Sequence, residues 1–492
     1  MIAPVNMPSK RVSHMLVDIP GFSGGVYSAA DENRLPYAYA AKSYNFRLSD
    51  GALRDGSGFK RVGMPAIDGA AGLPPLGQRI RGIWHYKRMH PVHNQRADEI
   101  VAWAADGYVY AYRTTGTAFA FVNLGIHFAT EPTAINYRLN SEDVLLISAR
   151  GEQMRVYNGE GYYGVINSPC MLSADIHAER LFAVVGDDPY AVLFSDDLDP
   201  TNWSVSGTEA GFIELADGRG AVRRVVSFFD YVYVFRDYGI SRISGYGDQS
   251  QFSVTHVFTS GGRIFPSTVA VCGELIIFAA TDGVYIFDGL NCSSILSEIS
   301  ERMSLGDSHG AYYNGRYWLA CGFDYKDGNE ILDEAGGCVN NTLLEYDVRS
   351  GGFTLTRGFD ICGLLQYEND RHYFLLALAA KNTDGRMFFL NSDGRADGTA
   401  LPKNWTSPMS DLSNPDKYKA VREIHLVSRT DCTVTVRTDE RTESFAVKGA
   451  GGVQRVHCNV GGRLVSVSFD CYEPDCYISH PMLKLALSGG GI

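Results

Sequence analysis

The feature that most constrains this chain is a repeat of short β-hairpin patterns, which recurs about every 45 residues. Each unit has an apolar strand, a polar turn rich in Asp and Gly, and a second strand rich in aromatic residues. Examples are DEIVAWAADGYVYAY (98–112), FDYVYVFRDYGISRISG (229–245) and CGELIIFAATDGVYIFDG (272–289). This spacing is typical of the four-stranded blades of a β-propeller.

The hairpins predict six or seven blades between residues 78 and 410. The composition agrees with a chain of strands and turns, because aromatic residues make up 12% of the 492 residues and there are 53 Gly. A stack of β-sandwiches is the alternative, since alternation and turns alone do not separate radial from layered packing.

Both ends of the chain differ from the middle. Residues 1–77 have few clear strands and are rich in Pro and Gly, which predicts an N-terminal arm or platform that packs on a partner. Residues 411–492 contain alternating stretches such as TVTVRT and LVSVSF, which predict an antiparallel β-sandwich. The expected fold is therefore all-β, with a six- or seven-bladed propeller between these two regions.

Charge is distributed unevenly along the chain. Residues 1–100 contain thirteen Lys or Arg and eight Asp or Glu, which gives a formal charge of +5. Because the whole chain has a formal charge of −12, residues 101–492 carry a formal charge of −17. An acidic surface of this kind argues against a protein that grips nucleic acid through phosphate contacts, which depend on Lys and Arg. It does not exclude a surface that DNA slides past.

One turn invites a chemical interpretation. The stretch SDDLDPTNW (195–203) has the spacing of the Asp-box turn of sialidase-type propellers, with Ser195, Asp197 and Trp203 at the characteristic positions, although Asp199 replaces the usual Gly. In such a turn the Asp accepts backbone hydrogen bonds and the aromatic ring packs between strands. We expect a structural turn, with a bound cation or catalytic carboxylates as the alternatives.

Motifs of catalysis, cofactor binding and membrane insertion do not emerge from the sequence. It contains no Walker-type loop and no CxxC pair among its ten Cys, and we interpret Gly-rich pieces such as GFSGG (21–25) as isolated turns. We therefore predict no enzymatic activity, no cofactor and no metal. The longest apolar run, FLLALAA (374–380), is too short to span a bilayer, and no signal peptide is evident, so we expect a soluble protein without membrane contact.

The N-terminal region carries a family resemblance. The stretch GFSGGVYSAADENRLPYAYAAKSYNFRLSDGALRDGSGFKRV (21–62) resembles the start of the tail hub or nozzle proteins of tailed bacteriophages, the tail tubular protein B-like group. The positions that carry the resemblance are Asn45, Asp50, Gly51, Leu53, Arg54, Gly58 and Phe59. Segments 179–203, 228–245 and 404–426 also look like that group.

The resemblance implies a structural virion protein located in the tail or neck and assembled in the host bacterial cytoplasm. Proteins of this group form a ring, usually of six copies, below the portal, and the genome leaves through its channel. The implied partners are further copies of the chain, a portal or adaptor ring and other tail proteins. Double-stranded DNA would pass through the channel without specific binding. The resemblance supplies no catalytic residue.

Two other functions remain open from the sequence. The Asp-box-like turn and the abundant Tyr and Trp are compatible with a carbohydrate-binding or glycoside-hydrolysing, sialidase-like propeller. The β-rich, aromatic sequence is also compatible with a receptor-binding tail-tip protein, although no sustained heptad pattern of a fibre is present.

Overall fold

Strands account for 62% of the chain and helices for 1% in the computed structural model. The structure describes residues 13–489 apart from 20–21, 23–24, 28–34, 36–38, 63–75, 90–94, 116–117, 246–248, 370–371 and 380–384. Five short strands come first: β1 (Ser13–Asp18), β2 (Lys42–Tyr44), β3 (Phe46–Ser49), β4 (Ala52–Asp55) and β5 (Gly58–Arg61).

Six consecutive antiparallel sheets follow, each of four strands paired in chain order. Blade 1 contains β6 (Ile80–Tyr86), β7 (Glu99–Ala104), β8 (Tyr108–Thr115) and β9 (Ala118–His127). Blade 2 contains β10 (Pro132–Leu139), β11 (Glu142–Ala149), β12 (Glu152–Tyr157) and β13 (Tyr162–Gly164). Blade 3 contains β14 (Met171–His177), β15 (Arg180–Val185), β16 (Ala191–Phe194) and β17 (Gly211–Glu214).

The next three blades repeat this order. Blade 4 contains β18 (Val222–Phe228), β19 (Tyr231–Arg236), β20 (Gly239–Ser244) and β21 (Ser253–Thr259). Blade 5 contains β22 (Ile264–Val271), β23 (Ile276–Ala280), β24 (Gly283–Phe287) and β25 (Cys292–Ile295). Blade 6 contains β26 (Met303–Tyr313), β27 (Arg316–Phe323), β28 (Thr342–Asp347) and β29 (Phe353–Arg357).

The seventh blade draws strands from both ends of the chain. Three strands come from the end of the repeat, and the N-terminal β5 pairs with the third of them as the fourth blade strand. A short hairpin extends the sheet beyond β5. The strands are β30 (Ile361–Asn369), β31 (His372–Ala379), β32 (Met387–Asn391), β33 (Arg395–Ala396) and β34 (Thr399–Ala400).

The blades form a closed ring. The first strand of each blade contacts the first strand of the next, and β30 of blade 7 contacts β6 of blade 1. Apolar clusters lie between neighbouring blades, including one in which Leu376 and Leu378 of blade 7 pack with Ile100 and Ala102 of blade 1. Because such a cluster uses both blades, each sheet is stable only in the ring.

The second strand of each blade has a mostly apolar middle because both of its faces are covered. In β7, Ile100 and Ala102 face blade 7, whereas Val101 and Trp103 face blade 2. Successive side chains of a strand point to opposite faces, so a strand buried on both faces has no polar alternation. This is why segments such as EIVAWA appear as short apolar runs in the sequence.

The remaining strands build a β-sandwich of two antiparallel sheets. One sheet has the order β3-β4-β41-β36-β39, with β1 also on β41, and the other has the order β2-β35-β40-β37-β38. The C-terminal strands are β35 (Lys403–Thr406), β36 (Lys417–Ser428), β37 (Cys432–Thr438), β38 (Thr442–Val447), β39 (Val453–Gly462), β40 (Val465–Cys471) and β41 (Tyr477–Gly489).

The sandwich core continues into the propeller. Ile424 and Leu485 of one sheet share an apolar cluster with Val434 and Phe469 of the other, and the same cluster includes Leu319 of blade 6. Ile277 and Val284 of blade 5 belong to it as well. The sandwich therefore packs directly on blade 6, whose last strand contacts β2 and β3.

The predicted fold class is confirmed: the protein is all-β, and its four-stranded antiparallel sheets are arranged as blades. Seven blades are formed by the described residues. The prediction of a separate N-terminal arm over residues 1–77 was wrong for its described strands, because β1 to β4 pair within the sandwich and β5 completes blade 7. The boundary expected near residue 410 lies earlier, since β35 already belongs to the sandwich.

Closure of the ring by β5 is testable with Phe59. Its side chain is buried in the cluster between blades 6 and 7 and stacks on Phe359 at a centroid distance of 4.2 Å. We expect Phe59→Ala to lower the free energy of unfolding of the propeller by about 3 to 5 kcal/mol, measured by urea denaturation. The exposed neighbour Lys60 is the control, and an equal loss for Lys60→Ala would contradict this assignment.

Candidate functional site

The Asp-box-like turn joins β16 to β17 in blade 3. Ser195 is buried, and its hydroxyl accepts a hydrogen bond from the Leu181 amide and donates one to the Asp196 carbonyl. The Trp203 indole donates to the Pro200 carbonyl at 2.9 Å, and its ring packs on the apolar cluster between blades 2 and 3. Ser195 and Trp203 therefore both hold the turn against the blade.

The carboxylates that organise this turn differ from the predicted one. Asp196 accepts hydrogen bonds from the Glu209 amide at 2.9 Å and from the Asn202 side-chain amide at 3.0 Å. Asp199 accepts from the amide and the hydroxyl of Thr201. The prediction that Asp197 caps the turn was wrong, because its side chain is 49% exposed and lies 4.0 Å from Arg180 Nε.

A cavity of about 470 Å³ lies beside the turn. Its charged and polar lining consists of His177, Glu179, Arg180, Asp197 and Glu209. The buried Arg180 guanidinium donates to the Glu209 carbonyl at 3.2 Å and forms an ion pair with the Glu209 carboxylate. The charge of Arg180 is thus balanced within the chain, as a buried guanidinium requires.

His177 lines this cavity. Its Nδ1 lies 3.0 Å from the Ser227 hydroxyl. Burial lowers the pKa of His177, while the carboxylate of Asp230 opposes that shift. The imidazole is therefore neutral near pH 7, and with Ser227 it links the hairpins of blades 3 and 4.

A second cavity, of about 380 Å³, lies between blades 6 and 7, and its lining includes Asn340 and Arg357. The Arg357 guanidinium contacts both carboxylate oxygens of Asp327, at 2.5 and 3.1 Å, and lies over the ring of Tyr325 at 4.3 Å. Arg357 and then Lys42 hold the pKa of Asp327 well below its usual range. This cluster fixes the long loop between β27 and β28.

The resemblance-bearing segment forms the joint between the sandwich and the propeller. Asn45 is buried with a left-handed backbone, φ +60°, and its amide donates to the carbonyls of Arg357 and Pro402 at 3.1 and 2.7 Å. Its side-chain oxygen accepts from the Arg357 amide at 2.7 Å. One side chain therefore ties the N-terminal segment to blade 6 and to the chain that returns from blade 7.

Four other motif residues serve the first sandwich sheet. Asp50 and Gly51, with φ of +53° and +67°, form the two-residue turn between β3 and β4, a geometry that Asp and Gly tolerate. Leu53 is fully buried in the sandwich core. Arg54 lies over the Tyr477 ring at 5.1 Å and within 3.7 Å of the Asp50 carboxylate.

The last two motif residues place β5 in blade 7. A Cβ at Gly58 would lie 2.6 Å from the Arg395 carbonyl oxygen, so only glycine allows this approach. Phe59 fills the space between blades 6 and 7. The structure therefore places Asn45 at the joint and Gly58 and Phe59 in blade 7, whereas Ser195, Asp197 and Trp203 lie apart from them in blade 3.

An outward-facing charged cluster on the sandwich has no counterpart in the sequence-based predictions. Glu423 on β36 contacts Lys484 Nζ at 3.0 Å and His425 Nε2 at 2.8 Å, and His457 Nδ1 lies 3.9 Å away. Hydrogen bonds from His425 and then Lys484 lower the pKa of Glu423 to about 2. Polar alternation in VREIHLVS was the available signal, but the three strands are neighbours only in the folded sheet.

The described part of the chain has neither a metal-binding cluster nor a membrane-crossing helix. Among the residues that the structure describes, no group of three or more His, Cys, Asp or Glu is placed to hold a metal ion. None of the described helices has the length and apolarity needed to cross a membrane.

Comparison with known proteins identifies similar folds only. No protein-family model and no curated protein matches the chain. BBS1N in complex with ARL6DN, soaked with lead, is 11% identical, with 65% of this chain and 94% of that chain covered and a TM-score of 0.42. The same complex soaked with mercury is 12% identical, with 67% of this chain and 97% of that chain covered and a TM-score of 0.42. A fungal alcohol oxidase of the AA5 family in complex with copper is 11% identical, with 84% of this chain and 100% of that chain covered and a TM-score of 0.44.

One of these similarities corrects a prediction. We expected from the sequence that the chain is not an enzyme. That prediction was wrong, because an alcohol oxidase is among the chains of similar fold. At 11% identity the similarity concerns the fold alone and assigns no active-site residue to this chain.

The turn of blade 3 yields a prediction with an internal control. Asp196→Ala leaves the Glu209 amide and the Asn202 side chain without their acceptor, so we expect the free energy of unfolding to fall by about 1 to 3 kcal/mol. Asp197→Ala, one residue away and exposed, should change it by less than about 0.5 kcal/mol. Urea denaturation of both variants tests this order, and a larger loss for Asp197→Ala would reverse the assignment.

Proposed function

We propose that this chain is a structural subunit of a tailed-phage virion, similar to the tail hub or nozzle ring below the portal, through whose channel the genome is ejected. The observation that carries the proposal is the place of the resemblance in the fold. Asn45 ties the sandwich strands to blade 6, whereas Gly58 and Phe59 place β5 in blade 7. A motif whose residues connect the sandwich to the propeller and complete its last blade supports a likeness of the whole two-part architecture and not merely of one local turn.

A ring of identical copies needs two different surfaces that meet, because each subunit contacts the next in a head-to-tail manner. The described residues offer two surfaces of unlike chemistry. One is the outer face of the sandwich sheet that contains β36, β39 and β41. The other is the end of the propeller at which the first and second strands of each blade are joined.

The first of these, called here the sandwich face, is basic and rich in histidine. Met15, Ile424 and Leu485 point into the core, so the alternate residues of their strands face outward. The outward residues include His14, Asp18, Arg422, Glu423, His425, Arg455, His457, His480 and Lys484. Only two of these are carboxylates, and Glu423 is paired with Lys484 and His425 on its own face.

The second surface, called here the turn face, has apolar tips and is acidic over blades 3 to 5. The hairpin tips of blades 3 to 5 expose Leu198, Phe229 and Leu290, each more than 60% accessible. Leu198 and Phe229 have a left-handed backbone, with φ of +58° and +51°. Carboxylates lie around these tips: Glu142, Glu160, Glu179, Asp197, Asp230, Glu274 and Asp288.

These two surfaces are complementary in charge. We place the sandwich face of one copy against the turn face of the next, so that Arg and Lys meet the carboxylates around the apolar tips. Complementary charge sets the orientation and speed of such an encounter, while burial of apolar tips supplies affinity. Remaining acidic surface, from a net charge of −12, would face the channel and repel the phosphates of passing DNA.

Charge reversal on the sandwich face tests the ring. We expect the purified chain to form closed rings at about 0.1 M salt and fewer at about 1 M, where exposed charges are screened. Arg422→Glu combined with Arg455→Glu should weaken assembly about tenfold or more, measured by mass photometry and negative-stain imaging. Arg437→Glu, an exposed charge reversal on the other sheet, is the matched control.

Two results would overturn the ring proposal. The first is a monomer at every salt concentration and at every protein concentration tested. The second is an assembly that the sandwich-face variant and the control variant weaken equally, because the contact would then not depend on this face.

Interaction with DNA gives a separate test of the channel. The acidic chain should bind a duplex of random sequence negligibly at about 0.15 M salt, as followed by fluorescence anisotropy. The same titration at about 0.05 M salt is the control for residual phosphate contacts by Lys and Arg. Tight binding that falls steeply with salt would show a DNA-gripping surface and contradict a non-adhesive channel.

A further inference from the structure

Strand β1 lies at the edge of the first sandwich sheet. In the part of the chain that the structure describes, β41 is the only strand that pairs with it. Leu16, in the middle of β1, is 61% exposed, and Ser13, His14 and Asp18 are exposed as well. An edge strand carries a row of unpaired backbone groups on which another strand can form a ladder. The open side of β1 is therefore a candidate contact surface.

The hydrogen-bonding pattern of β1 identifies the backbone groups on that open side. The register between β1 and β41 is unbroken, and the Ile19 amide continues it by donating to the Pro481 carbonyl at 2.9 Å. Hydrogen-bonded pairs alternate with other pairs along an antiparallel ladder, so every second residue counted back from Ile19 bonds to β41. The N–H and C=O groups of the residues between them, His14, Leu16 and Asp18, point to the open side.

The same three residues carry the outward side chains of β1. Met15 and Val17 pack against the sandwich core, and successive side chains of a strand point to opposite faces. His14, Leu16 and Asp18 therefore offer both their backbone groups and their side chains to an incoming strand. Their order along the strand is a proton donor, an apolar residue and a carboxylate, which an antiparallel copy of β1 complements.

We propose that β1 pairs antiparallel with β1 of a second copy of this chain, about a two-fold axis at Leu16. Leu16 then lies opposite Leu16 of the second copy, and His14 lies opposite Asp18 at both ends of the ladder. Each of these three pairs exchanges two backbone hydrogen bonds. The two sandwich sheets become one continuous sheet across the axis, and the contact is isologous.

The backbone pattern selects this register. A shift by one residue would set His14, Leu16 and Asp18 against residues whose N–H and C=O groups are already bonded to β41. A shift by two residues would keep only two of the three pairs and would place a polar residue opposite Leu16. Only the register centred on Leu16 uses every free backbone group of the three residues.

The side chains favour the same register. An imidazole N–H of His14 can donate to the carboxylate of Asp18 in either protonation state of the ring. The two Leu16 side chains cover each other, which removes exposed apolar surface from water. On the inner face, Met15 of one copy lies opposite Val17 of the other, so the apolar core continues across the axis. A second copy of β1 therefore satisfies both faces of the new ladder.

This contact goes beyond the ring proposal and does not depend on it. The ring uses charged groups on the outer face of the sandwich sheet, whereas the β1 contact uses backbone groups at the sheet edge. Backbone hydrogen bonds and apolar burial are little affected by salt screening of exposed charges. The β1 contact should therefore persist at a salt concentration at which the ring contacts are weakened.

Sedimentation of the full-length chain at about 1 M salt tests the contact. We expect a reversible dimer whose Leu16→Pro variant dissociates about tenfold or more readily. The Leu16 amide points to the open side, so proline removes a donor between copies and leaves the ladder with β41 intact. Leu16→Lys is the second variant, because like charges directly opposite each other destabilise a strand pair.

Val453→Lys is the matched control for Leu16→Lys. Val453 is 64% exposed and lies on β39, at the opposite edge of the same sheet. The same charge introduced there should leave the dimer unchanged.

Crosslinking tests the register. The ten native cysteines are buried or half-buried, so a cysteine introduced by Leu16→Cys is the most accessible thiol. Two such residues in a hydrogen-bonded pair have Cα atoms about 5.5 Å apart, within reach of a short bis-maleimide. We expect a covalent dimer that mass spectrometry maps to position 16 of both copies. Val453→Cys should give none.

Three results would overturn the proposal. One is a monomer at about 1 M salt at every protein concentration tested. Another is a dimer that neither Leu16→Pro nor Leu16→Lys weakens, or that Val453→Lys weakens equally. The third is a crosslink from position 16 to a residue outside β1. A dimer that persists at high salt in the absence of rings at low salt would support the β1 contact and remove only the ring proposal.

Discussion

The fold depends on one strand pairing, between β5 from the N-terminal region and β32 of the last blade. A ring of blades is stable only when each sheet has apolar neighbours on both faces, and β5 supplies Phe59 to the gap between blades 6 and 7. Once β5 is held there, β2 to β4 are brought close to the C-terminal strands, and the chain must cross twice between propeller and sandwich. Ring closure and sandwich formation are therefore one event, which is why the N-terminal strands cannot form an independent arm.

The two crossings between propeller and sandwich bury the polar side chains of Asn45 and Lys403. Both side chains have hydrogen-bond partners inside the protein. Asn45 uses both ends of its amide on backbone groups of two distant segments. Lys403, with no exposed side-chain area, is neutralised by Asp55 and donates to two carbonyls. Removing one partner of such a pair leaves a buried charge, so these residues specify the joint more than they add net stability.

The turn face and the sandwich face are the two surfaces that the proposed ring would use as contacts between subunits. The turn face combines apolar tips with carboxylates, and the sandwich face combines cations with histidines, so the two differ in sign and lie on different parts of the fold. A head-to-tail ring uses such a pair of unlike surfaces. In the cavity beside the turn of blade 3, in contrast, the guanidinium of Arg180 is neutralised by the carboxylate of Glu209. This ion pair holds the segment after the turn against the blade, which is a structural role.

The sequence by itself determined the repeat, the all-β class and the sandwich character of the C-terminal strands, because these depend on local alternation and on turn residues such as Asp50–Gly51. It also located the turn containing Ser195 and Trp203, but not which of its adjacent aspartates caps the turn, since Asp196 and Asp197 differ only in the direction that the folded loop gives them. Only the tertiary structure decided the number of blades, the partner of β5 and the meeting of Glu423 with Lys484. Those contacts join segments that are distant in the chain or separated by a turn, and a strand carries in its own sequence the face that it buries but not the neighbour that covers it.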